Sequence, residues 1–228
     1  MNKHGISFYQ FYSILNKKTK NGFVIKFKDE SLLMKILSKI LFFNKDFLTK
    51  YTTTIGKTIY FPNRAYVEDS ENDDCLIILA HEFVHVRDGE RLGLLFSLIY
   101  LFPQILALLF LAVAPISIYG LFLLLFLLPL PAYGRMLLER RAYASNIYSL
   151  YRILKERGDD LKGISVKEVV VGGFIDKQFS SFSYYLMWPF GIKKYLAFII
   201  DAVNSGEFEK TNDIYKDLSE AYDELFRC

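Results

Sequence analysis

The chain has 228 residues, 52% of them hydrophobic, with 21 Phe and 16 Tyr, and a formal net charge of +3. So much apolar side chain excludes a disordered or low-complexity polypeptide, and 2 cysteines exclude a scaffold built on disulfides. The length suits one sizeable domain or two small ones.

Cys75 sits in an apolar run and Cys228 at the terminus, a usage that fits a reducing compartment. No apolar core followed by small residues occurs in the first thirty positions, so a cleavable signal peptide is not expected. The charge is unevenly spread. Residues 1–64 hold twelve Lys and Arg against three acids, and the remainder is net acidic. Such a basic block suits an anionic lipid surface, or it is a set of solvated helix faces. No binding motif accompanies the lysines, so nucleic acid is not an expected partner.

Ile6 to Leu15 reads as a short helix, and Gly22 to Lys28 alternates Phe23, Ile25 and Phe27 with Val24, Lys26 and Lys28, the period of a strand. Asp29 can cap a following amphipathic helix with Leu32, Leu33, Ile36, Leu37, Ile40 and Leu41 on one side and Lys35 and Lys39 on the other. Core packing is the commoner use of such a stripe, and a bilayer surface the other. Tyr51 to Ile55 and Thr58 to Phe61 form a β-hairpin about Gly56-Lys57, with Ala65 to Glu68 as a third short strand. Ser70 and Asp73 then make a start like a capping box for the next helix.

That helix carries Ala80-His81-Glu82-Phe83-Val84-His85-Val86. One helical turn separates His81 from His85, so both rings leave the same face and can hold one metal ion. Glu82 lies on the adjoining face, placed to take a proton from a water at that ion. The residue types and spacing are those of a zinc peptidase.

From Leu92 to Leu130 there is no charged residue, the pattern of a membrane segment. Ala114-Pro115 divides it into a first arm, Leu92 to Val113, of about 33 Å as helix, and a shorter second arm, Ile116 to Leu130, of about 22 Å. Arg87 and Arg91 precede the segment and Arg135, Arg140 and Arg141 follow it, which by the positive-inside bias puts both ends in the cytoplasm. A soluble protein with a buried apolar hairpin is the contrasting expectation. Tyr133 to Arg157 is then a long helix, Ser165 to Val171 a strand, and about Ile192 to Val203 and Asn212 to Phe226 two amphipathic helices. The expected organisation is therefore 1–91 with the sheet and motif helix, 92–132 as a transmembrane helical hairpin, and 133–228 completing the catalytic part.

Zinc needs a third protein ligand. Asp88 and Arg91 stand where a metzincin would have Gly and His, which excludes that arrangement. Asp88 lies about 10 Å along the helix axis from His81, too far for one ion, and His4 is remote. Glu139 is the best candidate, because a hairpin returns the chain beside the motif helix. The combination resembles the gluzincins, in particular the integral-membrane peptidases of the CAAX prenyl-protease and HtpX heat-shock type. It rests on His81, Glu82, His85, Glu139 and Ala142 and covers roughly residues 60–144.

The resemblance implies a zincin-like α+β fold, mainly α with a small β-sheet. It also implies zinc on His81, His85 and Glu139, Glu82 as the catalytic base, and a peptide or protein substrate laid along a strand edge. Tyr143 departs from the family's Asp at that position, and Asp69 or Asp88 are the candidate replacements for its support of a ligand. Tyr184 or Tyr185 is a candidate oxyanion donor, with core or interfacial packing as the plainer role. The expected function is a membrane-anchored zinc metalloendopeptidase, and the contrasting one a non-catalytic membrane scaffold descended from a peptidase.

Overall fold

A computed structural model describes residues 7–41, 44–68, 73–113, 115–128, 130–158 and 191–227. The fold is mainly α with a small mixed sheet. Helix α1 (Phe8–Lys17) buries Phe8, Phe11, Ile14 and Leu15, the apolar stripe of its helical period. Strands β1 (Val24–Phe27), β2 (Thr53–Ile55) and β3 (Thr58–Phe61) form the sheet in the order β1-β3-β2. β3 pairs parallel with β1 and antiparallel with β2, so Phe27 lies opposite Phe61 and Thr54 opposite Ile59. Alternation along β3 sends Ile59 and Phe61 into the main core and Tyr60 to the other face, against Met34 and Phe47.

Helix α2 (Leu32–Ile40) is capped by Ser31, whose hydroxyl accepts from the Met34 N–H at 3.4 Å, and not by Asp29. Asp29 falls in the preceding turn, where Ser31 N–H bonds the Lys28 carbonyl. Only Met34 of α2 is fully buried, while Leu32, Leu33, Ile36 and Ile40 point outward, contrary to core packing of the whole stripe. Under α2, the Lys28 amine is buried and donates to the Phe47 carbonyl at 2.7 Å, above that residue's ring. Burial pulls its pKa down to about 8, with the Glu82 carboxylate opposing.

The third strand expected at Ala65 to Glu68 is instead a short helix, α3 (Arg64–Glu68). The Asn63 side chain accepts from Tyr66 N–H at 2.8 Å, and that cap starts a helical turn despite the β-forming character of Tyr66 and Val67. Ser70, like His4, Asp69 and the proposed strand 165–171, lies outside the described residues.

The motif helix α4 (Asp74–Leu92) runs through the centre, burying Leu79, Phe83 and Val86 among others. The first arm of the apolar hairpin is not the single helix expected. Gly93, at φ 58°, ends α4; α5 (Leu94–Leu101) follows; then a 3-10 helix (Gln104–Leu109) and α6 (Phe110–Val113) leave at 95° to α5. Pro103 accounts for the break, since it has no N–H to donate and its ring collides with the carbonyl one turn back. The second arm is a 3-10 helix, Ile118–Leu127, packed beside the first 3-10 helix. Among the described residues no single helix is long and apolar enough to cross a membrane, although the bent pair passes that test together.

Helix α7 (Tyr133–Glu156) returns antiparallel to α4: Arg157, just past its end, pairs with Asp73 at the start of α4, and Arg141 pairs with Asp88 near the end of α4. Helices α8 (Ile192–Asn204) and α9 (Asp213–Arg227) complete the core, α8 packing on α7 and α9 on α1 and α7. Each side chain fully buried in this core contributes roughly 1.5–3 kcal/mol.

At Gly134, α7 comes close against Ile99 of α5. A Cβ there would lie 2.7 Å from both the carbonyl oxygen and Cγ2 of Ile99. Gly134→Ala is therefore expected to destabilise the protein by about 1–3 kcal/mol. Gly89→Ala, at an α4 position where an added Cβ meets nothing within 4 Å, should stabilise it by about 0.5–1 kcal/mol through helix propensity. Thermal unfolding of the two variants under one set of conditions reads both signs, and equal shifts would show that the α5–α7 contact is loose.

Candidate metal centre

The residues of the motif come together with one from beyond the apolar segment. His81 and His85 stand one turn apart on α4, their rings edge to face with centroids 5.0 Å apart. Glu139, on the second turn of α7, points its carboxylate between them. Its Oε2 lies 3.3 Å from His81 Nε2 and its Oε1 3.5 Å from His85 Nε2. One donor atom from each of the three falls within 4.8 Å of the others. Around one tetrahedral zinc ion, neighbouring ligand atoms are separated by roughly 3.3 Å. The two imidazole nitrogens each lie near that spacing from a carboxylate oxygen of Glu139, so the three residues are a group that could hold such an ion.

Burial gives the group its electrostatics. Glu139 is 2% exposed. Burial favours its neutral acid, but the two facing imidazoles outweigh that and hold the carboxyl well below the usual carboxylate range. Burial likewise opposes a charged His85, yet the carboxylates of Glu139, Glu82 and Asp88 lift its pKa to about 9. His85 Nδ1 is buried and makes no hydrogen bond among the described residues. Asp88, one turn further along α4, is wholly buried 2.9 Å from Arg141, and burial raises its pKa against the pull of that guanidinium.

The neighbours of the three residues include several that the sequence did not single out. Asn146 Oδ1 lies 3.3 Å from His81 Nδ1, and an Nδ1–H donated there leaves the Nε2 lone pair on the Glu139 side. Asn146 follows Glu139 by seven positions, two helical turns, so its place on the same face of α7 was open to discovery from spacing. Tyr143, at the position where the resemblance led us to expect an Asp, packs its ring edge to face on His81 at 4.9 Å. Glu82 accepts a 2.6 Å hydrogen bond from the Thr54 hydroxyl, which ties it to edge strand β2. Tyr100 of α5 donates to Glu139 Oε1 at 2.5 Å. No local pattern announces Thr54 or Tyr100, because each meets its partner from a separate element. Tyr184 and Tyr185 lie outside the described residues.

Comparison with family models, with curated proteins and with solved structures gives no match to this chain.

In metal-free protein His85 and Glu139 form one ion pair, counted once. The raised His85 pKa contributes stability that is fully present below about pH 6.5 and is lost as the pH rises through about 9. The depressed Glu139 pKa adds none beyond this, and its share disappears as the pH falls below the ordinary carboxylate range. Chelator-treated protein should therefore lose up to about 3 kcal/mol between pH 6.5 and 9, and Glu139→Gln should flatten that decline. Denaturant unfolding across the range checks it, and equal slopes in the two proteins would show that the pair carries no such linkage.

Proposed function

We propose that this chain is a membrane-anchored zinc metallopeptidase. The observation that carries the reading is the convergence of His81 and His85 from α4 with Glu139 from α7 across the intervening apolar segment. His81, His85 and Glu139 would hold the ion, with Asn146 orienting the first. A bound zinc ion supplies Lewis-acid polarisation of a peptide carbonyl and makes water acidic enough to ionise near neutral pH. Glu82, its carboxylate steadied by Thr54, accepts the proton of the attacking water and passes it to the departing amine. Among the described residues β2 is an edge of the sheet, and such an edge suits an extended peptide or protein segment added as a strand next to Glu82.

The anchoring half of the reading rests on the exposed face of the hairpin. Leu94 and Ile116 are 85% and 86% exposed, and Leu111, Ile118 and Phe122 are also outward-facing. Such a surface favours lipid over water and weighs against an apolar hairpin buried in a soluble core. The arginines flanking the segment favour the cytoplasmic side for the site. The lysines of residues 1–64, with the outward apolar side chains of α2, favour contact with anionic lipid.

Protein purified without chelator should carry about one zinc per chain, lost in His85→Ala. Glu82→Gln should keep the zinc and lower peptide hydrolysis by about 10²- to 10⁴-fold. Metal analysis together with turnover of a quenched fluorescent peptide reads both. Full turnover in metal-replete Glu82→Gln rejects the peptidase assignment, and a wild type free of zinc supports the scaffold instead.

A further inference from the structure

A run of polar contacts threads the otherwise apolar hairpin and ends on the third ligand. Gln104 Nε2 donates to the Leu130 carbonyl at 3.3 Å, and Gln104 Oε1 accepts from Arg135 at 3.2 Å. The Arg135 Nε donates to the Tyr100 carbonyl at 3.0 Å, and its guanidinium lies over the Tyr100 ring, 5.0 Å from the centroid. Tyr100 then donates its hydroxyl to Glu139 Oε1. Phe96 stacks on Tyr100, and both rings meet His85 edge on, at 6.0 and 5.9 Å.

We propose that Tyr100 is a positioning residue for Glu139, through which the apolar hairpin sets how tightly the site holds its metal; this rests on the zinc reading above. A glutamate side chain has three free torsions and two equivalent oxygens, and nothing in the ligand itself selects one oxygen for the ion. The short bond from a phenol to a buried carboxylate is of the charge-assisted kind. It engages Oε1 and leaves Oε2, 3.3 Å from His81 Nε2, as the oxygen without that bond.

Tyr100 is itself held in place. Arg135 and Glu139 are one turn apart on α7, so the same helix face supplies the ligand and the clamp on the tyrosine that orients it. Arg135 is buried, and a guanidinium in apolar surroundings is retained only where its donors are met. The Tyr100 carbonyl and Gln104 meet two of them, and these acceptors lie on either side of the Pro103 break. The bend of the first arm thus brings both acceptors to one arginine.

The test compares full-length wild type, Tyr100→Phe, Gln104→Leu and Leu111→Ala in detergent micelles. Zinc affinity is measured by competition with a chromophoric chelator, and the visible spectrum of the Co²⁺-loaded protein reports coordination. Tyr100→Phe keeps the ring and its stacking and should weaken zinc binding by about 10- to 100-fold. Its Co²⁺ absorption should also lose intensity as the freed carboxylate turns both oxygens to the ion. Gln104→Leu, which leaves the hydroxyl but loosens Arg135, should weaken binding by less than about tenfold, and it carries the test should Tyr100→Phe not fold. Leu111→Ala, on the exposed side of the hairpin, should stay within about twofold of wild type.

Zinc affinity and Co²⁺ spectra unchanged in Tyr100→Phe overturn this inference while leaving the metal site standing. Loss of turnover at unchanged affinity overturns it too, by assigning Tyr100 to the substrate. A wild type that binds neither metal removes the site and this inference together.

Discussion

The structure depends on the antiparallel seam between α4 and α7, because that seam brings a buried carboxylate against two imidazoles. Taking such charges out of water costs several kcal/mol per ion unless partners are close and well placed. Here the cost is met by mutual pairing, at 3.3 and 3.5 Å, by the Tyr100 hydroxyl on Glu139 and by Asn146 beside His81. Ala80 on α4 and Ala142 and Ala144 on α7 are all fully buried. The seam is held in register at both ends, by Asp73 with Arg157 and by Asp88 with Arg141. A slip of one residue on either helix would turn Glu139 away from the histidines by about 100°.

That constraint explains the arginines after the apolar segment. Read in sequence, they suggest topogenic charges; folded, each has an internal task. Arg135 bonds α5, Arg141 neutralises buried Asp88, and Arg140 lies over the Tyr195 ring of α8. A cluster of like charges at the mouth of an apolar hairpin thereby doubles as the fastening between the hairpin, the motif helix and the C-terminal helices.

The replacement of the expected Asp by Tyr143 has a similar resolution. Support for His81 comes from Asn146, one turn further along α7, while the Tyr143 ring closes one side of the imidazole. Around His85 the walls are Phe96 and Tyr100 of α5, so part of the hairpin forms the lining of the site. The apolar segment therefore returns the chain to its start and also supplies a wall of the centre it closes.

Periodicity and spacing by themselves determined the helical segments of α1, α4, α7, α8 and α9, a strand within Gly22 to Lys28, found at Val24–Phe27, the β-hairpin at Gly56-Lys57, and the shared face of His81 and His85. These are local properties, dictated by side-chain direction within a few residues. They also made Glu139 a candidate, through the simple geometry of an excursion that comes back. Local patterns misled where a single residue outweighed them: Asn63 started a helix where the β-forming Tyr66 and Val67 suggested a strand, and Pro103 broke a run that composition alone made continuous. Tertiary structure alone decided the pairing of Tyr100 with Glu139, Thr54 with Glu82, and Arg141 with Asp88. Each of these joins residues 28 or more positions apart, and only packing, which settles how two helices and a sheet edge meet, could bring them within bonding distance.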